Sequence, residues 1–319
     1  MTTPISVNLM PTAPVGRVVE LARLAEQLGC RRCWVYDEGL VTRDVYVTLT
    51  AIAAATDRIQ LGPGITNPWV RHPGATAGAI AALDEVSGGR AFLGLGAGGG
   101  LTLGPLAIER RRPLRAVEHT VAALRDLFAG AEVTMEAETF GFDRARLASG
   151  PHDIEILLAG RGPRMIDLGG RTADGFYLSY IHKDLLADEV GRLRAAAGGR
   201  PFTVVWSTAI ATTDEELEAV RAQLTFRLVD SPDSIRHRVG LDDDRRDRIR
   251  AALADGGPSA AAHLIEPSWV DAFALVGSPT ECLAELERTA TDLGIDEFLL
   301  PVSSVDRGAE VIERVCRTR

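Results

Sequence analysis

Four short stretches carry most of the residues that could do chemistry. Asp37-Glu38-Gly39 follows an apolar run and puts two carboxylates at a strand end. Such a pair could act as acid and base. Either residue could equally cap the next turn, and neighbours in sequence diverge, so at most one is expected to point inward. The stretch from Gly62 to Pro73 (Gly-Pro-Gly-Ile-Thr-Asn-Pro-Trp-Val-Arg-His-Pro) crowds glycine and proline at the end of another run. That density predicts irregular backbone. Asn67 offers donors and an acceptor suited to the edge of a heterocycle, or it simply turns the chain with Pro68. His72 is a candidate ligand, base or helix-entry residue.

Gly94-Leu95-Gly96-Ala97-Gly98-Gly99-Gly100 matches G-x-G-x-x-G on paper. That pattern holds a pyrophosphate only where it opens a helix directly. The next helical pattern starts near Pro113, so a dinucleotide site is rejected; glycine here would let a flat group lie against the backbone. Gly160-Arg161-Gly162-Pro163-Arg164 opens a helix at once, with Pro163 near its first position. Its amides would face an anion, and Arg161 or Arg164 would add charge. An ordinary strand-to-helix turn is the plainer alternative.

Other chemistries are argued against. The 6 histidines show no zinc spacing, so no metal is expected. No G-x-S-x-G elbow is present. Lys183 is the single lysine, so a P-loop is absent and a Schiff-base enzyme would have to use that residue alone. Cys30-Arg31-Arg32-Cys33 matches C-x-x-C. It sits at a helix end rather than a helix start, where no low thiol pKa is expected, and incidental burial is the better reading. The formal net charge of −9 repels phosphates, so no nucleic-acid partner is expected. No apolar stretch approaches 18 residues and no signal peptide is evident, which predicts no membrane partner and a cytoplasmic, reduced protein.

The elements that must position these stretches alternate. Apolar runs recur at Ile5–Leu9, Cys33–Tyr36, Ile59–Ile65, Ala91–Leu95, Ile154–Ala159, Gly175–Leu178, Phe202–Ile210 and Glu297–Leu300. Helical patterns lie between most of them; Val15–Leu28 carries a stripe of period 3.6 and ends at Gly29. Eight strand–helix units in 319 residues predict an α/β (β/α)8 TIM barrel, with a doubly wound sheet as competitor. A hairpin insertion is expected before the fifth strand (about 132–150) and a helical one between the seventh and eighth (about 230–269), within a single domain over 1–319. In a barrel, catalysis belongs at the C-terminal strand ends, and all four stretches lie there.

In order along the chain, Thr66-Asn67-Pro68, Arg71-His72-Pro73, Leu83-Asp84-Glu85-x-Ser87-Gly88-Gly89-Arg90 and Leu93-Gly94-x-Gly96-Ala97-Gly98 resemble the bacterial luciferase-like superfamily. Gly160-Arg161-Gly162-Pro163, Ala173-Asp174-Gly175 and Gly277-Ser278-Pro279-Thr280-Glu281 continue the likeness, which is closest to the methylenetetrahydromethanopterin reductase-like branch. The resemblance implies a TIM barrel that holds coenzyme F420, an 8-hydroxy-5-deazaflavin, at its mouth. It implies that Asp37 faces the cofactor headgroup, that a cis Gly64–Ile65 peptide backs the ring and that Asn67 contacts it. Gly96, Ala97 and Gly98 would line the ring or ribityl chain, with Thr102 nearby, and Gly160, Arg161 and Gly162 would meet the phosphate. Some deazaflavin relatives carry an acid where this chain has Gly99. The proton must then come from Asp37, Glu38 or His72, or from substrate and water. The implied activity is hydride transfer between coenzyme F420 and a C=N, C=C or carbonyl centre of a small substrate. Alternatives are an FMN-dependent monooxygenase and a non-catalytic flavin-binding protein. Trp69, Tyr180, Trp206 and Trp269 could line the substrate pocket or serve as core aromatics. A homodimer is expected by analogy.

Overall fold

In the computed structural model, which describes residues 2–318 apart from the side chain of Leu101, the eight apolar runs form one parallel sheet. Numbered in chain order, the strands are β1 (Ile5–Leu9), β2 (Arg32–Val35), β3 (Gln60–Pro63), β4 (Phe92–Gly96), β5 (Val133–Glu136), β6 (Gly141–Ala145), β7 (Glu155–Ala159), β8 (Gly175–Ser179), β9 (Thr203–Ser207), β10 (Ile210–Ala211), β11 (Leu275–Val276) and β12 (Glu297–Val302). The sheet order β3-β2-β1-β12-β9-β8-β7-β4 curls round until its two edges meet. The bridges Leu61–Ala91 and Thr66–Leu95 close that seam. Closure needs glycine: a Cβ on Gly94 would lie 2.2 Å from Pro63 O and 2.7 Å from the Trp34 ring. The fold is the (β/α)8 barrel, and the doubly wound alternative is set aside.

Period 2 sorts the strands. Val7, Leu9, Cys33 and Val35 pack outward with the helices, in one large apolar cluster. Trp34, Phe92, Leu157, Tyr177, Val205 and Leu299 fill the interior, with Ile65 packed against them. Local signals end the helices where expected. Gly29 takes φ 79° after the helix Val15–Gln27, and Ser278 with Glu281 forms a capping box at Pro279–Leu293.

Two segments leave the repeat. β5 and β6 pair as an antiparallel hairpin. The seventh run, expected as a single strand to Ile210, stops at Ser207. There Thr208 donates its hydroxyl to Phe273 O, and β10 turns away to pair with β11. Helices Asp214–Val229, Asp233–Arg238, Asp243–Ala261 and Pro267–Phe273 lie between β10 and β11. They bury a second core of Leu224, Leu228, Ile249, Trp269 and Phe273, which Tyr180 joins from the barrel.

Candidate active site

The C-terminal ends of β2, β3, β4, β7, β8 and β9 converge at the barrel mouth. After β2, both carboxyls of Asp37-Glu38 are half-buried and each is held by a hydroxyl from another element. Thr66 Oγ1 donates to Asp37 Oδ2 at 2.7 Å, and Thr102 Oγ1 donates to Glu38 Oε2 at 2.6 Å. The two carboxyls diverge to different neighbours, and both are held at the mouth. Burial pushes both pKa values up, Thr66 and Thr102 partly oppose the rise, and the charge of Asp37 adds to that on Glu38.

After β3 the Gly64–Ile65 peptide is cis. Asn8, at an inward position of β1, donates Nδ2 to Gly64 O at 2.8 Å. Asn67 forms a turn: its Oδ1 accepts from Trp69 N at 3.0 Å and Val70 N at 3.2 Å. Its acceptor is therefore committed to the backbone. Trp69 Nε1 donates to Ala97 O at 2.9 Å and ties the β3 and β4 ends together.

His72 is held at both ring nitrogens. Its Nδ1 accepts from Gly74 N at 3.0 Å and caps the helix Pro73–Ser87, while Nε2 bonds Gly141 O at 3.0 Å. Phe140 and Phe142 pack on its ring edge-on. With both nitrogens used, the ring fastens the hairpin to the barrel and has no lone pair left for a substrate.

The β4 glycines divide. A Cβ on Gly96 would lie 2.3 Å from Ile65 Cδ1, so this glycine makes room for Ile65 rather than for a ligand. Gly98 has φ 74° and its carbonyl accepts from Arg110. A one-turn helix, Gly100–Leu103, starts directly after the run with Gly99 as its N-cap, earlier than the helix expected near Pro113. It brings Thr102 to Glu38. After β7, Gly162 is the N-cap of Pro163–Thr172, has φ −94° and faces open space. Arg161 leans away from that turn; its guanidinium donates to Arg227 O at 3.0 Å and Ser231 Oγ at 3.3 Å.

Sequence reasoning missed the contribution of the helix Asp214–Val229. Gln223 Oε1 accepts from Tyr180 OH at 2.7 Å, and Arg227 Cζ lies 3.7 Å from the Tyr180 ring centre. Gln223 and Arg227 are four apart, hence on one helix face, but nothing in the local pattern says that this face covers the mouth. Tyr180 and Gln223 also line a cavity of about 220 Å³ with Ser303, Ser304 and Arg307. Trp206 and Trp269 are buried in the outer and insertion cores. Cys33 is fully buried and its thiol is pushed up to about 12, while Cys30 Sγ lies 3.6 Å from Cys316 Sγ rather than pairing with Cys33. Among the described residues no group of three or more His, Cys, Asp or Glu is placed to hold a metal ion, and no helix is long and apolar enough to cross a membrane.

Apolar Ile65, the open backbone at Gly162, and a rim of Asp37, Thr66 and two arginines suit a planar heterocycle with an anionic side chain. Ser207 Oγ, fully buried and without a hydrogen-bond partner among the described residues, adds a spare polar group at the end of β9. This is the mouth of a cofactor-binding (β/α)8 enzyme. The chain belongs to the luciferase-like monooxygenase family, whose model matches residues 1–297. It is 34% identical to a 5,10-methylenetetrahydromethanopterin reductase of Methanolobus tindarius, over 92% of each chain. It is 29% identical to an F420-dependent hydroxymycolic acid dehydrogenase of Mycobacterium tuberculosis, over 75% of this chain and 72% of the relative. The solved coenzyme F420 dependent tetrahydromethanopterin reductase of Methanopyrus kandleri superposes with a TM-score of 0.86 at 24% identity, over 99% of this chain and 98% of that one; this likeness concerns the fold.

Proposed function

We propose that the protein is an oxidoreductase that moves a hydride between coenzyme F420 and a C=N, C=C or carbonyl centre of a small organic substrate. The observation that carries this reading is the 34% identity to a reductase across 92% of both chains. The bound deazaflavin would supply the hydride chemistry at its C5 carbon. Ile65, with Ala97 and Gly98 beside it, would support the ring, and Asn67 would turn its side-chain amide toward the ring edge. Gly160 to Gly162 would offer backbone amides to the phosphate. Asp37 and Glu38 are the acids of the mouth. Burial favours their protonated forms, which suits them to hold a proton for the substrate atom beside the reacting centre. His72 takes no part in this.

The chain is proposed to act as one domain, because Leu185 packs against both the barrel core and the insertion core. A homodimer belongs to the same proposal, supported by the exposed apolar side chains Leu40, Val41 and Val47; light scattering tests it. The main test is calorimetry on the purified chain with coenzyme F420 and with FMN, followed by turnover of reduced F420 with imine, enone and ketone substrates. Tighter binding of FMN, with oxygen consumption, would replace this reading with the monooxygenase one.

A further inference from the structure

Several half-buried arginines here have a carboxylate at ion-pair distance, as Arg125 has Asp174 and Arg194 has Asp296. Arg161 and Arg227 have none among the described residues. Arg161 rises from the turn after β7, and Arg227 comes down from the insertion side on the helix Asp214–Val229. Arg161 donates to the Arg227 carbonyl, so the two residues meet across the mouth. Arg227 sits over the Tyr180 ring, and its Nε is buried without a hydrogen-bond partner among the described residues. Tyr180 is itself fixed by Gln223 and by a left-handed backbone at φ 51°. The other groups that face the pair do not neutralise it. Glu38 feels Arg227 but bonds Thr102, and Asp230 attracts Arg161 only from the exposed end of the helix. Burial and the charge of Arg227 together push the Arg161 guanidinium down to about 10.

Two half-buried guanidiniums without a counter-charge are stabilised by an anion that both can fork. We propose that Arg161 and Arg227 form a receptor for an anionic group, a carboxylate or a phosphate, on the substrate that enters the mouth opposite Ile65, so that the enzyme selects acidic substrates. The word substrate rests on the hydride-transfer reading, whereas the anion receptor does not.

The test uses the full chain and its variants Arg227→Met and Arg227→Lys. Inorganic phosphate and glutarate are titrated into the protein with and without F420, and F420 and its phosphate-free deazaflavin nucleoside into the unloaded protein. Loss of about tenfold in phosphate or glutarate affinity in Arg227→Met, partly restored in Arg227→Lys and with both deazaflavins unaffected, supports an acidic substrate. Weaker F420 binding with unchanged nucleoside binding overturns the substrate receptor and returns the pair to the cofactor phosphate. If no ligand distinguishes wild type from either variant, the receptor is refuted. Should wild type bind neither deazaflavin while phosphate affinity still depends on Arg227, the hydride-transfer reading fails and the receptor stands. Arg161→Gln, read the same way, serves if Arg227→Met does not fold.

Discussion

At the floor of the barrel Arg32, with no exposed surface, donates to Glu297 at 2.5 Å and to Glu155 at 2.6 Å. These three are the first residues of β2, β12 and β7. At the mouth, Arg161 and Arg227 have no such partners, and the carboxyls of Asp37 and Glu38 rest on hydroxyls instead of cations. The same barrel thus closes one end with opposite charges and leaves charges of both signs unpaired at the other. Buried charge that finds its partner within the chain is held by that partner, here across three strands. Buried charge held apart from a partner is available to a ligand, and its pKa values shift accordingly.

Arg32→Met tests this contrast most severely. It takes from buried Glu297 the nearer of its two cations and leaves only the Arg31 guanidinium at 3.6 Å, so the protein should lose about 3 kcal/mol in urea unfolding. The fraction that stays folded should bind the cofactor as wild type does. A loss below about 1 kcal/mol would mean that the floor is no closed ion set.

Gly162→Val makes the converse demand. No atom lies within 4 Å of a Cβ there, and φ −94° suits any residue. Unfolding should be nearly unchanged, while F420 affinity falls at least about tenfold, ~1.4 kcal/mol, as the side chain blocks the amides. Unchanged affinity would remove the phosphate from this turn.

His72→Ala sharpens the border between the two regions. The lost cap and the lost tie to Gly141 should cost about 1 kcal/mol in thermal unfolding, with turnover retained. A collapse of turnover at unchanged stability would return His72 to the catalytic list.

The smallest effect concerns pH. Asp37 carries a folded pKa above its unfolded one, because burial disfavours its charge. The folded state therefore binds the extra proton, and this contribution is full below the unfolded pKa and lost as pH rises through the folded value. Asp37→Asn should flatten that decline, so the variant gains on wild type in denaturation curves as pH rises above the ordinary aspartate range. Parallel curves would show that Asp37 is solvated as an ordinary carboxylate.

Much of the barrel was legible because parallel strands buried on both faces read as apolar runs, and because caps and turns are written in neighbouring residues. The eight strands, the glycine turn at Gly160–Gly162 and the capping box at Ser278 all depend on signals within a few positions. Tertiary structure decided the rest. Arg32 and Glu297 are 265 positions apart, and no local pattern distinguishes that pair from two surface charges. His72 looked reactive until the hairpin carbonyl of Gly141 took its second nitrogen. Gly96 looked like a ligand cradle until Ile65 filled it. Arg227 belongs to the mouth only because β10 turns out of the barrel and carries its helix over Tyr180. Sequence settles which backbone a segment can adopt, since propensity and capping act over one or two turns. Which charges meet, and which stay unpaired, follows from how distant elements pack, because electrostatic partners are chosen by distance in space rather than along the chain.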